Sequence, residues 1–159
     1  MDYKIEDVNL STKLDELELS LPDALTFFPE NIDTAKQKDE FIFTDSMLDL
    51  SKIFKQENVD ISVLGVDTEL YRSRKSADIY LPAIFLSLSL IAENPTIISI
   101  SLNLLSNYIY DLCKGSLKEK TAKVDLYIET KERGKFKKIS YSGSAEGLKD
   151  LHKIIKAMK

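Results

Sequence analysis

The stretch from Ile79 to Ala92 constrains this chain more than any other. It is apolar apart from Pro82, Ser87, Ser89 and the Tyr80 hydroxyl, and it stops at Glu93-Asn94-Pro95. As a helix it would reach about 21 Å, against a bilayer hydrocarbon core of about 30 Å, so it is too short to span a membrane. It reads best as a helix buried in a folded core, with a re-entrant or membrane-peripheral segment as the alternative. The pattern predicts a helix over Pro82–Glu93 and a second apolar helix over Pro95–Cys113. Pro82 and Pro95 fit first helical turns, Asn94 fits a cap and Gly115 fits a C-terminal stop. The alternation Ile98-Ser99-Ile100-Ser101-Leu102 also permits a strand. Two helices apolar around most of their circumference leave surface that a chain this small has difficulty burying, which points to self-association or a partner chain.

At 159 residues the chain suits a single domain, and 43% hydrophobic with 30% charged residues is an ordinary globular composition. The C-terminal part has the clearest pattern. Val124, Leu126 and Ile128 alternate with Asp125, Tyr127 and Glu129, Arg133-Gly134 supplies a turn, and Phe136–Tyr141 returns as a second strand. Ser144 then caps a helix with Ala145, Leu148, Leu151, Ile154, Ile155 and Met158 at helical spacing. The expected class is therefore α+β: a small, mainly antiparallel sheet with this strand-turn-strand-helix unit and two apolar central helices.

Before residue 58 the signals are weaker. Tyr3, Ile5, Val8 and Leu10 form one strand candidate, and Leu17, Leu19 and Leu21 alternate as another. Residues 29–40 read as loop. A helix capped at Asp45 or Ser46 runs to about Glu57, and Val59–Val66 is a β-branched run fit for a central strand. Residues 1–40 are acidic and fit a loosely attached segment.

The net charge of −4 hides a division. Residues 1–70 carry 6 basic and 17 acidic side chains, a net of −11, whereas residues 71–159 carry 16 and 9, a net of +7. From 114 to 159 alone there are 13 basic and 6 acidic residues. Arg133, Lys135, Lys137 and Lys138 crowd the predicted hairpin, with Phe136 or Tyr127 to stack on bases, so phosphate binding is one expectation. Arg72, Arg74 and Lys75, in the polar segment before Pro82, form a second candidate contact for an anion or for a partner's carboxylates. Pairing with Asp67, Glu69 and Asp78 would satisfy the same three cations.

Motifs for catalysis are sparse. Glycine occurs only at 65, 115, 134, 143 and 147, so neither a dinucleotide fingerprint nor a phosphate-binding P-loop can be written. His152 and Cys113 are the sole imidazole and thiol, and they read better as a flanking helix residue and a small core residue than as a catalytic pair. Asp125, Glu129 and Lys131 share one side of a strand, and Glu129-Thr130-Lys131 resembles the Glu-x-Lys half of a metal-dependent nuclease signature. That resemblance implies two carboxylates on Mg²⁺ and a lysine that positions water. Alternating charges on the wet face of a hairpin produce the same residues.

The expected function is that of a non-enzymatic accessory or interaction protein, without cofactor, metal or catalytic residues, binding a protein partner or itself. The alternatives are a nucleic-acid-binding module on the basic hairpin and helix, and a Mg²⁺-dependent nuclease-like site. The acidic Met1–Asp7 start, which lacks a secretory pattern, and the unpaired Cys113 fit a cytoplasmic protein. Frequency alone suggests a subunit of a bacterial multi-gene system such as a defence or toxin–antitoxin module.

Overall fold

The computed structural model describes residues 2–65, 70–72, 78–114, 121–130, 132 and 135–157, with backbone only at 70–72. In chain order these form β1 (Asp2–Val8), α1 (Leu10–Glu16), β2 (Thr26–Phe28), β3 (Ile42–Thr44), α2 (Ser46–Gln56), β4 (Ser62–Val63) and β5 (Leu70–Arg72). Then come β6 (Ile79–Tyr80), β7 (Ala83–Leu86), α3 (Leu88–Glu93), α4 (Thr96–Cys113), β8 (Ala122–Glu129), β9 (Phe136–Gly143) and α5 (Ala145–Ala157). The α+β class holds.

The sheet, however, is mixed. Its order is β1-β9-β8-β7-β2-β4, with β6 also beside β8, while β3 and β5 pair separately. The β1·β9, β8·β9 and β2·β7 pairs are antiparallel; β7·β8, β6·β8 and β2·β4 are parallel. The expectation of a mainly antiparallel sheet overlooked the crossover in which α3 and α4 carry the chain from β7 back to a parallel β8. A connection of that length is what parallel neighbours require.

The segment expected as a helix over Pro82–Glu93 is therefore half strand. Ala83, Ile84, Phe85 and Leu86 are all buried. A central strand covered on both faces reads as a continuous apolar run, indistinguishable by periodicity from a buried helix. Only four residues separate Pro82 from Ser87, whose hydroxyl accepts from the Leu90 N–H and starts the six-residue α3. β6 and β7 line the same side of β8, interrupted at Pro82, which has no N–H to give to a ladder. Helix α4 matches its expected span. It buries Ile98, Leu102, Leu105 and Ile109, and of its apolar residues only Ile100, Tyr110 and Leu112 stay well exposed. The large apolar surface expected of two central helices is thus mostly spent on the core.

Two other strand expectations are corrected. Leu17–Leu21 is not a strand: Leu17 closes α1, and Glu18 has φ 58°. Leu10, Leu14 and Leu17 are spaced to bury one helical side, which overrode the short alternation. Val59–Val66 yields only the two-residue β4 at a sheet edge. Gly65 follows with φ 68°, and a Cβ there would come within 2.8 Å of the Phe41 ring. The β1 candidate, the α2 span, the β8–β9 hairpin and the Ser144-capped α5 all match, with the Gly147 N–H donating to the Ser144 hydroxyl at 3.1 Å.

One face of the sheet carries Phe27, Ile84, Leu86, Leu126, Ile128 and Ile139, with Phe54 of α2 packed on Phe27 at 5.8 Å. Here α5 lies against β9 and α4 against α5 and α2. The other face carries an aromatic cluster: Phe28 stacks on Phe85 (5.2 Å, 4°) and meets Tyr127 at 5.5 Å, while Phe85 meets Phe136 at 6.4 Å. Residues 29–41 cross this face, pinned by Asn31, which donates to the Glu40 carbonyl (2.8 Å) and accepts from the Ile42 N–H (2.9 Å). Phe85 is fully buried between Phe28 and Phe136, so Phe85→Ala should lower unfolding free energy by about 3–5 kcal/mol in denaturant titration.

Candidate functional site

Strand period two puts Lys123, Asp125, Tyr127 and Glu129 of β8 on the aromatic face. Their β9 neighbours there are Ser142, Ser140, Lys138 and Phe136, and beyond these lie Asp2, Lys4, Glu6 and Val8 of β1. The cluster buries Tyr127 and Phe136 (1% and 2% exposed), so neither can stack on a base as the sequence suggested. Where the aromatics end, small and polar side chains leave an open groove of about 320 Å³ lined by Glu30, Thr44, Tyr80, Ala83, Lys123, Asp125, Ser140 and Ser142. Ala83 has too little bulk to fill the space beside Asp125. The groove is mixed in charge, and Lys123 is already engaged with Asp78 at 3.4 Å.

The hairpin cations are also engaged. Lys135 pairs with Glu132 at 2.7 Å, Lys137 with Asp7 at 2.7 Å and Lys138 with Asp33 at 3.0 Å. Hydrogen bonding to Lys137 and its charge hold the Asp7 carboxyl below the usual carboxylate range. Lys138 is the most buried of the three. Burial by itself would lower its pKa, but the Asp33 hydrogen bond and the charges of Asp125, Asp33 and Glu6 outweigh it and the net shift is upward. The same Asp33 oxygen accepts from the Tyr127 hydroxyl at 3.2 Å, and the Lys138 ammonium lies 5.5 Å from the Tyr127 ring centroid. Two acids of the N-terminal region thus neutralise two bases of the hairpin across the sheet. Composition showed the asymmetry but not which carboxylates would close it.

Arg72 lies on β5, described by its backbone alone, whereas Arg74, Lys75 and Arg133 lie outside the described residues, as does Lys131. Glu129, the glutamate of the nuclease-like pattern, accepts from the Leu88 N–H at 2.8 Å and so ties β8 to the start of α3. Among the described residues no three His, Cys, Asp or Glu side chains converge as metal ligands. His152 Nδ1 lies 2.7 Å from the Lys149 carbonyl one helical turn back, and Cys113 is half-buried at the end of α4. No helix among the described residues is long and apolar enough to cross a membrane.

The feature that sequence reasoning passed over is the outer edge of β1. The Thr130 N–H donates to the Lys135 carbonyl at 3.1 Å, which fixes the hydrogen-bonding alternation of the β8–β9 ladder. Continued through the registers, this turns the even-numbered backbone groups of β9 toward those of β1. The N–H and C=O of Tyr3, Ile5 and Asp7 therefore point away from the sheet. Tyr3 and Ile5 are also among its exposed large apolar residues, at 45% and 38%. The signal was present in Asp2-Tyr3-Lys4-Ile5-Glu6-Asp7, but alternation does not say whether a strand lies at an edge. Compared with protein families, curated proteins and solved structures, the chain matches none.

These contacts have measurable consequences. Glu129→Ala should cost about 1 kcal/mol by removing the acceptor of the Leu88 N–H, while Glu129→Gln, which keeps an acceptor oxygen, should cost less; thermal melts compare them. Burial, with the nearby Asp49, pushes Tyr108 up to about 12, and burial, with Asp33 and Asp125, pushes Tyr127 higher still. Both hold their protons more tightly folded than unfolded. The stability they confer is complete below their ordinary value of 10.0 and is lost as pH rises past it. Ultraviolet titration should show late-ionising phenols, and Tyr127→Phe should remove the latest.

Proposed function

We propose that this chain is a non-enzymatic interaction protein, a subunit of a cytoplasmic complex, that binds its partner by strand addition to β1. The observation that carries this reading is the open edge. Among the described residues, the seven of β1 are paired on one side only, along their whole length with β9, and three outward-facing N–H and C=O pairs flank two exposed apolar side chains. The opposite edge of the main sheet, β4, is two residues long and offers far less to a partner. Strand addition draws affinity from main-chain hydrogen bonds and specificity from alternate side chains, and β1 supplies both.

The contact we propose lies on the sheet edge and not on the central helices, whose apolar side chains mostly serve the core. Nucleic acid is not the partner we propose. The hairpin lysines expected to hold phosphate already hold Glu132, Asp7 and Asp33, and the aromatics expected to stack are interior. The Cys113 thiol, exposed in part, is compatible with a reducing compartment.

Ile5→Pro provides the test. Proline removes an N–H that points to the open side, leaves the β9 ladder intact and is tolerated on edge strands. Wild-type and Ile5→Pro chains are used as bait in the cells that express the protein. The expected result is a complex retained by the first and lost by the second, with hydrogen exchange slowed at Tyr3, Ile5 and Asp7 in the retained complex. Equal retention, or unchanged exchange at those amides, would overturn the reading.

A further inference from the structure

We infer that the strand added to β1 is the β1 of a second copy of this chain, antiparallel and related by a two-fold axis through Ile5. The inference rests on β1 being the pairing edge and goes further by naming its occupant and register. Asp2–Val8 is symmetric about Ile5, so a two-fold there engages every residue of the strand. It sets Ile5 opposite Ile5, Tyr3 opposite Asp7 and Lys4 opposite Glu6 of the other copy. Because the odd-numbered backbone groups face outward, the 3–7, 5–5 and 7–3 pairs become hydrogen-bonded pairs. Lys4 and Glu6 then occupy the non-hydrogen-bonded positions, where opposing side chains approach most closely.

Charge selects this register over its neighbours. An axis through Lys4 would oppose Lys4 to Lys4 and Asp2 to Glu6, and an axis through Glu6 would oppose Glu6 to Glu6. Through Ile5, both Lys4–Glu6 contacts are attractive. Within one chain Lys4 lies 3.8 Å from Glu6, with side chains 75% and 42% exposed, so both can turn to a partner without leaving a buried charge behind. Asp7 is engaged with Lys137 and brings no unpaired charge opposite Tyr3. Lysine on an edge strand ordinarily deters pairing with other chains; here it deters every partner except one with an acid opposite. On the other side of the ribbon, Ile5 and Tyr3, left uncovered beside the buried Ile139 and Tyr141, would gain neighbours from the second copy.

The test uses the purified chain and light scattering or sedimentation across concentration. Wild type should form dimers. Lys4→Glu alone and Glu6→Lys alone should each weaken association about tenfold or more, since two attractive pairs become two repulsive ones. Mixing the two variants should restore dimers, because a strand acidic at both positions then faces one basic at both. Both changes are at exposed side chains, and circular dichroism checks the fold of each variant. A wild-type chain still monomeric at about 1 mM, where a pair with a Kd near 1 mM is about half formed, would overturn the inference. So would variants that dimerise as tightly as wild type, or a mixture no better than its components. If the chain is monomeric yet Ile5→Pro still strips a complex from the bait, self-pairing fails while the edge remains the binding site. If Ile5→Pro changes neither, both readings fail.

Discussion

Pairing of β7 with β8 places Ile84, Phe85 and Leu86 beside Leu126, Tyr127 and Ile128, and nearly everything else in the molecule is arranged around that contact. Both strands are buried on both faces at this point. One side demands helices, which α2, α4 and α5 supply. The other demands a cover for four aromatic rings, and residues 29–41 provide it. Parallel pairing also requires a long connection, which is why the chain spends residues 88–113 on two helices before returning to the sheet. Pro82 breaks the strand line that would otherwise run from β6 into β7, between Tyr80 and Ala83, which both line the groove.

The polarity of the chain is partly resolved inside the fold. Asp7 and Asp33, from the acidic N-terminal region, meet Lys137 and Lys138 of the basic hairpin. Exposed pairs such as Asp7–Lys137 contribute little to stability, whereas the Asp33–Lys138–Tyr127 contact, partly buried and shared among three groups, holds the covering loop onto the sheet. A charge run that looks like a binding surface in one dimension becomes a set of mutual partners once β1 lies beside β9. The function proposed for the chain moves accordingly from the lysine cluster to the backbone edge that β1 exposes.

Much of this is legible in the sequence. The β8–β9 hairpin and α5 followed from alternation, a turn and helical spacing, because each of those elements has one dry and one wet side. The α4 helix was legible for the same reason. The Ala83–Leu86 strand was not, since a segment dry on all sides carries no period, and Leu17–Leu21 misled because three alternating leucines also fit the end of a helix. Glu129 illustrates the limit at the site. Its spacing from Lys131 suggested metal chemistry, while its carboxylate instead accepts from the Leu88 N–H some forty residues earlier in the chain, a partner no local pattern could reveal.

Periodicity and composition alone establish where the apolar and polar sides of β1, β8, β9, α4 and α5 lie, that the central run is buried, and how charge divides between the two halves. Side-chain periodicity and composition are local properties and need no neighbours. Only the assembled fold sets β7 parallel to β8, Asp33 rather than a phosphate against Lys138, and β1 rather than β7 at an edge. Each of these depends on which strands lie side by side, and strand order is set by how the whole core closes, not by any one segment.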